Sequence, residues 1–190
     1  EGRARDRPPR PRFRGPRGGG FPDRPLRLVV PFPPGGPNDA IGRVLAQKLS
    51  ALLGQPVVVE NRSGGGGVVG TDAVAKAAPD GHTFAVTSAG ALAIAPNLAP
   101  SMPYQVGRDL APVALVATVP ELLVVHPGVP AGTLAELAAH AKSRRDPLNY
   151  ASSGNGSMPH LAGESLRFAA GVELVHVPYR GAAPAVTDLV

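Results

Sequence analysis

The residues of this sequence best suited to chemistry lie in five short loops. They are PFPPGGPND (31–39), NRSGGGG (61–67), TSAGA (87–91), SSGNGS (152–157) and PYRGAAP (178–184). Glycine removes the Cβ that would hold a ligand off the backbone, and proline stiffens a loop without lengthening it. Small hydroxyls at Ser88, Ser153 and Ser157 add hydrogen-bond donors. Each loop precedes a helical pattern, where unpaired N–H groups and partial positive charge suit carboxylate or phosphate oxygens. Any single loop also reads as an ordinary strand-to-helix turn; five in succession point to a shared anion site.

Catalytic signatures are absent. His82, His126, His140, His160 and His176 are scattered, with no HExxH and no paired metal spacing. There is no GxSxG motif, since Ser157 in NGSMP fails at both flanks, and no Walker loop. The chain has no cysteine, which excludes disulfides, thiolate metal sites and Cys nucleophiles. No catalytic residue, metal or cofactor is expected. Gly65, Gly67 and Gly70 do satisfy G-x-G-x-x-G after a strand and before a helix. Twenty residues on, however, the next strand ends in VTSAG, without the acidic group that would bind a ribose.

The elements that must position these loops follow from periodicity. PLRLVVPF, PVVVE, HTFAVTS, LNYAS and VELVHVP read as strands, as do APVALVATV and ELLVVHP on either side of Pro120. Helices are expected at Asp39–Leu53, stopped by Gly54, and at TDAVAKAA, LAELAAHAKS and HLAGESLRFAA, with another beginning at AAPAVTDLV. ALAIAPNLAPSMPY reads as a short helix and a loop. Thr133 and Glu136 form a T-x-x-E capping box before the third of these helices. Strand–loop–helix units in this order imply α/β lobes with parallel sheets, which bind ligands at the C-terminal strand edge.

Charge divides the chain sharply. Residues 1–20 carry seven arginines against Glu1 and Asp6, and the rest is neutral, so the formal +5 belongs to an Arg/Pro/Gly-rich tail. Such a tail lacks the apolar residues to fold and is expected to be disordered. It leaves open a contact with nucleic acid or an acidic membrane, which deleting residues 1–20 would test. It has no apolar core of a secretory signal, and no run in the chain is long enough to span a bilayer.

Four stretches carry a family resemblance: LRLVVPFPPGGPNDAIGR, VVVENRSGGGGVVGTDAVAKAAPDGHT, LNYASSGNGSMPHLAGE and VHVPYRGAAPAVTDL. Together they resemble the Bug-type solute-binding proteins of tripartite tricarboxylate transporters. The resemblance implies a periplasmic receptor with a type II two-lobe α/β fold, closing on a small carboxylate and delivering it to a membrane permease. It implies dicarboxylates, tricarboxylates, acidic amino acids or aromatic acids as ligands, no nucleic acid, and a monomer. The first lobe would span 21–119 and the second, cut short, 120–190.

By motif, the resemblance assigns first-lobe contacts to Phe32, Pro34, Gly35, Gly36, Asn38 and Asp39, to Ser63, Gly64, Gly65 and Gly66, and to Thr87, Ser88 and Ala89. Second-lobe contacts fall at Ser153, Gly154, Asn155, Gly156, Ser157 and His160, and at Tyr179, Arg180 and Gly181. Asp39 is better placed to begin a helix than to touch an anion, and Arg180 is the one cation able to pair a distal carboxylate. An α/β enzyme acting on a nucleotide or carboxylate is the alternative.

Overall fold

A computed structural model of the protein describes residues 20–190; the tail expected over residues 1–20 lies outside them except for Gly20. Strand β1 (Leu26–Val30) takes the centre of a parallel sheet, between β2 (Val57–Asn61) and β3 (Thr83–Ala85). Its sequence LRLVV is apolar apart from Arg27 at its start, as a strand covered on both sides requires, and Leu28, Val29 and Val30 are fully buried. Val29 aligns with Glu60 on one side and Ala85 on the other, so the three strands release their loops from one edge.

Helix α1 (Pro37–Leu53) packs on this sheet through Ile41, Leu45, Ala46 and Leu49, which meet Leu26, Leu28 and Val57. The partly buried Ile41, Leu45 and Leu49 each contribute about 1 kcal/mol of apolar burial, and Ala46 less. Close packing needs Gly42, where a Cβ would fall 2.7 Å from Val30 Cγ2. The helix starts two residues before the expected Asp39, because Pro37 fits the first turn, where its missing N–H has no partner to lose. It stops at Gly54 as expected, in the left-handed conformation with its N–H on the Ser50 carbonyl.

A 3-10 turn (Gly65–Gly67) leads into α2 (Val68–Ala75), three residues ahead of the expected TDAVAKAA. After β3, a π turn (Gly90–Ile94) runs into α3 (Ala95–Leu98), and the short α4 (Val106–Asp109) follows. The Tyr104 hydroxyl fastens the π turn by donating to the Ala91 carbonyl at 2.7 Å.

The two strands expected in APVALVATV and ELLVVHP do not form. Their apolar runs satisfy the sequence pattern, but a strand exists only through a neighbour's hydrogen bonds, and no described residue pairs with them. The segment is exposed, with Val113 at 89% and Leu115 at 87%.

Helix α5 (Leu134–Ser143) precedes a second parallel strand pair. Thr133 Oγ1 accepts the Glu136 N–H at 3.2 Å, while Glu136 Oε2 reaches back to the Gly132 N–H at 2.7 Å. The capping box therefore forms, with its return bond one residue upstream of the cap. Replacing Thr133 by alanine is expected to lower stability by about 1 kcal/mol, read from the urea midpoint. Strands β4 (Leu148–Ser152) and β5 (Leu174–Pro178) pair in parallel, with helices α6 (Met158–Ala170) and α7 (Ala182–Leu189) after them. Like α1, α6 starts two residues early, with Pro159 in its first turn. No helix among the described residues is long and apolar enough to cross a membrane.

Candidate functional site

All five loops leave the C-terminal ends of their strands and meet where the lobes face each other. The opening loop touches the last one: a Cβ on Gly181 would lie 2.5 Å from Pro33 Cδ, and Gly35 stands opposite Ala183. The glycine run touches the second-lobe loop: a Cβ on Gly66 would lie 2.5 Å from the Asn155 carbonyl oxygen. The third loop joins there too, since Gly90 faces the Gly156 carbonyl and the Ser157 Cα. At Gly66 and Gly90 the neighbour is backbone, and at Gly181 it is the Pro33 ring, so a side chain has no room at these three positions. Two other hollows among the described residues lie away from this junction: one of about 440 Å³ between α1 and Val116–Ala117, the other beside Tyr104.

Helices α1, α2, α6 and α7 thus begin around one spot, each directing its first N–H groups toward the junction edge. Pro34, Gly35, Gly65, Ala89, Asn155 and Arg180 are exposed there, whereas Phe32, Gly36, Asp39, Gly66, Gly154, Gly156, Ser157 and Gly181 are buried. Asn38, Ser63, Gly64, Thr87, Ser88, Ser153, His160 and Tyr179 are half-buried.

Several of these side chains already have partners. Asp39 Oδ2 accepts the Gly35 N–H at 3.0 Å and Arg43 Nε at 2.9 Å, and Oδ1 accepts Asn61 Nδ2 at 2.9 Å. Asn61 also donates to the Phe32 carbonyl at 3.0 Å. The Arg43 hydrogen bond leads in holding the Asp39 carboxyl down to about 2, against burial, with the Gly35 and Asn61 donors assisting. Asp39 therefore ties down the opening loop from behind. Thr87 shares a 2.8 Å hydrogen bond with the buried Thr71. Ser157 Oγ caps α6 by accepting the His160 N–H, and the Tyr179 hydroxyl donates to Asp188.

Asn61, Arg43, Thr71, Ser152 and His176 were missed by sequence reasoning. Ser152 Oγ sits 2.7 Å from His176 Nε2 and accepts the Gly154 N–H at 3.1 Å. Only Asn61 and Ser152 had a signal, as first residues of quoted loops. Among the described residues no group of three His, Cys, Asp or Glu could hold a metal ion.

Two parallel α/β lobes that meet loop to loop at their C-terminal edges define a two-lobe solute-binding protein of the periplasmic type. The family model described as "Tripartite tricarboxylate transporter family receptor" matches residues 41–190, and the chain belongs to that family. It is 46% identical over 170 residues to "Protein BugT" of Bordetella pertussis, covering 89% of this chain and 52% of that protein. It is 49% identical to the "UPF0065 protein in tcbD-tcbE intergenic region" of Pseudomonas sp. (strain P51), covering 90% and 50%.

Among solved structures, "R. palustris Rpa4515 with adipate" superposes with a TM-score of 0.86 at 39% identity, covering 89% of this chain and 56% of that one. "MatC (Rpa3494) from Rhodopseudomonas palustris with bound malate" superposes with a TM-score of 0.83 at 38% identity, covering 89% and 57%. Family members are periplasmic binding receptors rather than enzymes. The chain spans about half the length of the curated relatives it matches.

Proposed function

We propose that this chain belongs to a periplasmic receptor that captures a small carboxylate and passes it to the permease of a tripartite tricarboxylate transporter. The observation that carries the reading is the convergence of five glycine-rich loops and four helix starts on one junction. Main-chain N–H groups aimed at one point suit a carboxylate's oxygens, and each charge-assisted bond contributes about 1.5–3 kcal/mol. Without a fixed buried cation the grip stays reversible, as delivery requires. The adipate and malate held by similar structures support acids of this kind.

In this reading the loop amides of Gly36 and Gly64–Gly66 hold one carboxylate, and Ser153–Ser157 with Arg180 read the far end. The lobes divide at residues 119 and 120. Lobe closure on the ligand is the signal read by the permease, and the receptor works as a monomer. Isothermal titration with malate, adipate, citrate, glutamate and aspartate tests the proposal. Binding of at least one acid, and no heat from the uncharged diamide of malate, is expected. Silence with every acid would overturn it.

A further inference from the structure

The second-lobe loop is held from beneath by two histidines. The Gly156 N–H donates to His160 Nδ1 at 3.1 Å, a bond that uses the lone pair of that nitrogen. The His160 ring stacks on His176 at 4.1 Å between centroids and 14° between planes. His176 Nε2 in turn meets the buried Ser152 Oγ, which accepts the Gly154 N–H. Two amides of one loop, at Gly154 and Gly156, therefore depend on one imidazole stack.

We propose that His160 and His176 are positioning residues for this loop, and that His160 holds it only while uncharged. A proton on Nδ1 would turn the acceptor for Gly156 into a second donor facing it. The groups facing the stack are Tyr150 and His176 from the sheet, and Glu164 and Arg167 from α6. Glu173 approaches Arg167 at 4.0 Å. The Glu164 carboxylate favours a charged imidazole, but it is already engaged by the Tyr150 hydroxyl at 2.7 Å and Arg167 Nε at 2.9 Å. Burial, then the neighbouring His160, hold His176 below the usual histidine value. A lowered base value means the unfolded chain binds the extra proton first, so its stabilising share is present above the ordinary histidine value and is lost as pH falls through it.

The link to ligand capture rests on the receptor reading, but the state of the loop can be read without ligand. Amide hydrogen exchange at Gly154–Ser157, expressed as protection relative to the intrinsic rate, is measured at pH 7.5 and 5.5 on the chain and on His160→Asn and His160→Ala. Asparagine Oδ1 can stand in for Nδ1 and does not titrate. Protection in the unaltered chain is expected to fall about tenfold at the lower pH, the loss of one amide bond. At Gly156, whose N–H is the one that His160 accepts, His160→Asn should stay level with pH, and His160→Ala should be low at both. Equal pH responses in the unaltered chain and His160→Asn would overturn the proposal, as would no pH response in the unaltered chain.

Titration with malate and adipate at both pH values gives the second readout. The affinity ratio between pH 7.5 and 5.5 should be about tenfold larger for the unaltered chain than for His160→Asn, the ligand's own protonation cancelling. If no variant binds malate, adipate, citrate, glutamate or aspartate at pH 7.5, the receptor reading fails, while the exchange data still decide the histidines' role.

Discussion

Gly66→Ala is expected to cost at least about tenfold in affinity for malate or adipate while leaving the first sheet folded. Two effects act at this residue. Its φ of 63° lies in the left-handed region, where a side chain costs about 1 kcal/mol. Separately, the new Cβ would fall 2.5 Å from the Asn155 carbonyl oxygen, with Ser157 N 3.6 Å away. A carbon and an oxygen normally stand more than about 3.2 Å apart, so the two loops must separate by roughly that deficit. Donors preorganised around a small anion lose their common focus when moved on that scale.

Gly171→Ala isolates the first effect: φ is 58°, but nothing stands within 4 Å, and the residue caps α6 away from the junction. Titration calorimetry on both variants reads the difference. Gly171→Ala should lose stability and keep affinity, whereas Gly66→Ala should lose affinity. Unaltered binding by Gly66→Ala would mean that the loop junction is not where the ligand sits.

Much of this arrangement was legible in the sequence because it depends on local chemistry. Gly54 ends α1 and Thr133 caps α5 as expected, since both act within one helical turn. The five loops were found because glycine and proline mark them, and parallel α/β order says which sheet edge they share. Errors at the starts of α1 and α6 have one cause: Pro37 and Pro159 read as loop residues but occupy first turns.

What sequence could not reveal are contacts between distant residues. Asn61 reaches Asp39 across 22 positions, and Ser152 meets His176 across 24; nothing local distinguishes these side chains from solvated ones. The misread strands near Pro120 make the same point in reverse. Leu122, Leu123 and Val124 have strand-like composition, yet pairing is a relation between two segments, and the pattern of one does not reveal whether the other is present.

Asp39 is the largest test of the opening loop. It is 4% exposed, and its two oxygens accept from three donors: the Gly35 amide in the loop before it, Arg43 one turn along its own helix, and Asn61 on β2. Asp39→Ala leaves the Gly35 N–H and one Asn61 hydrogen unpaired and is expected to destabilise the protein by about 2–4 kcal/mol. Asp39→Asn is milder in shape but not neutral. Its oxygen can serve Gly35 and Arg43, while its NH₂ then faces Asn61 Nδ2, which is fixed by its bond to the Phe32 carbonyl. About half the alanine loss is expected for it.

The pH dependence separates charge from shape. Folding lowers the Asp39 carboxyl from 3.8 to about 2, so the unfolded chain takes up its proton first as pH falls. The carboxylate's contribution is therefore complete above about pH 5 and is lost progressively as pH falls toward 2. It amounts to about 2 kcal/mol in all, of which about 1 kcal/mol is gone by pH 3. Urea denaturation of the unaltered chain and Asp39→Asn at pH 7 and pH 3 should show their stabilities converging by that amount. A gap that stays constant with pH would mean the carboxylate is not the charge that ties the loop to α1.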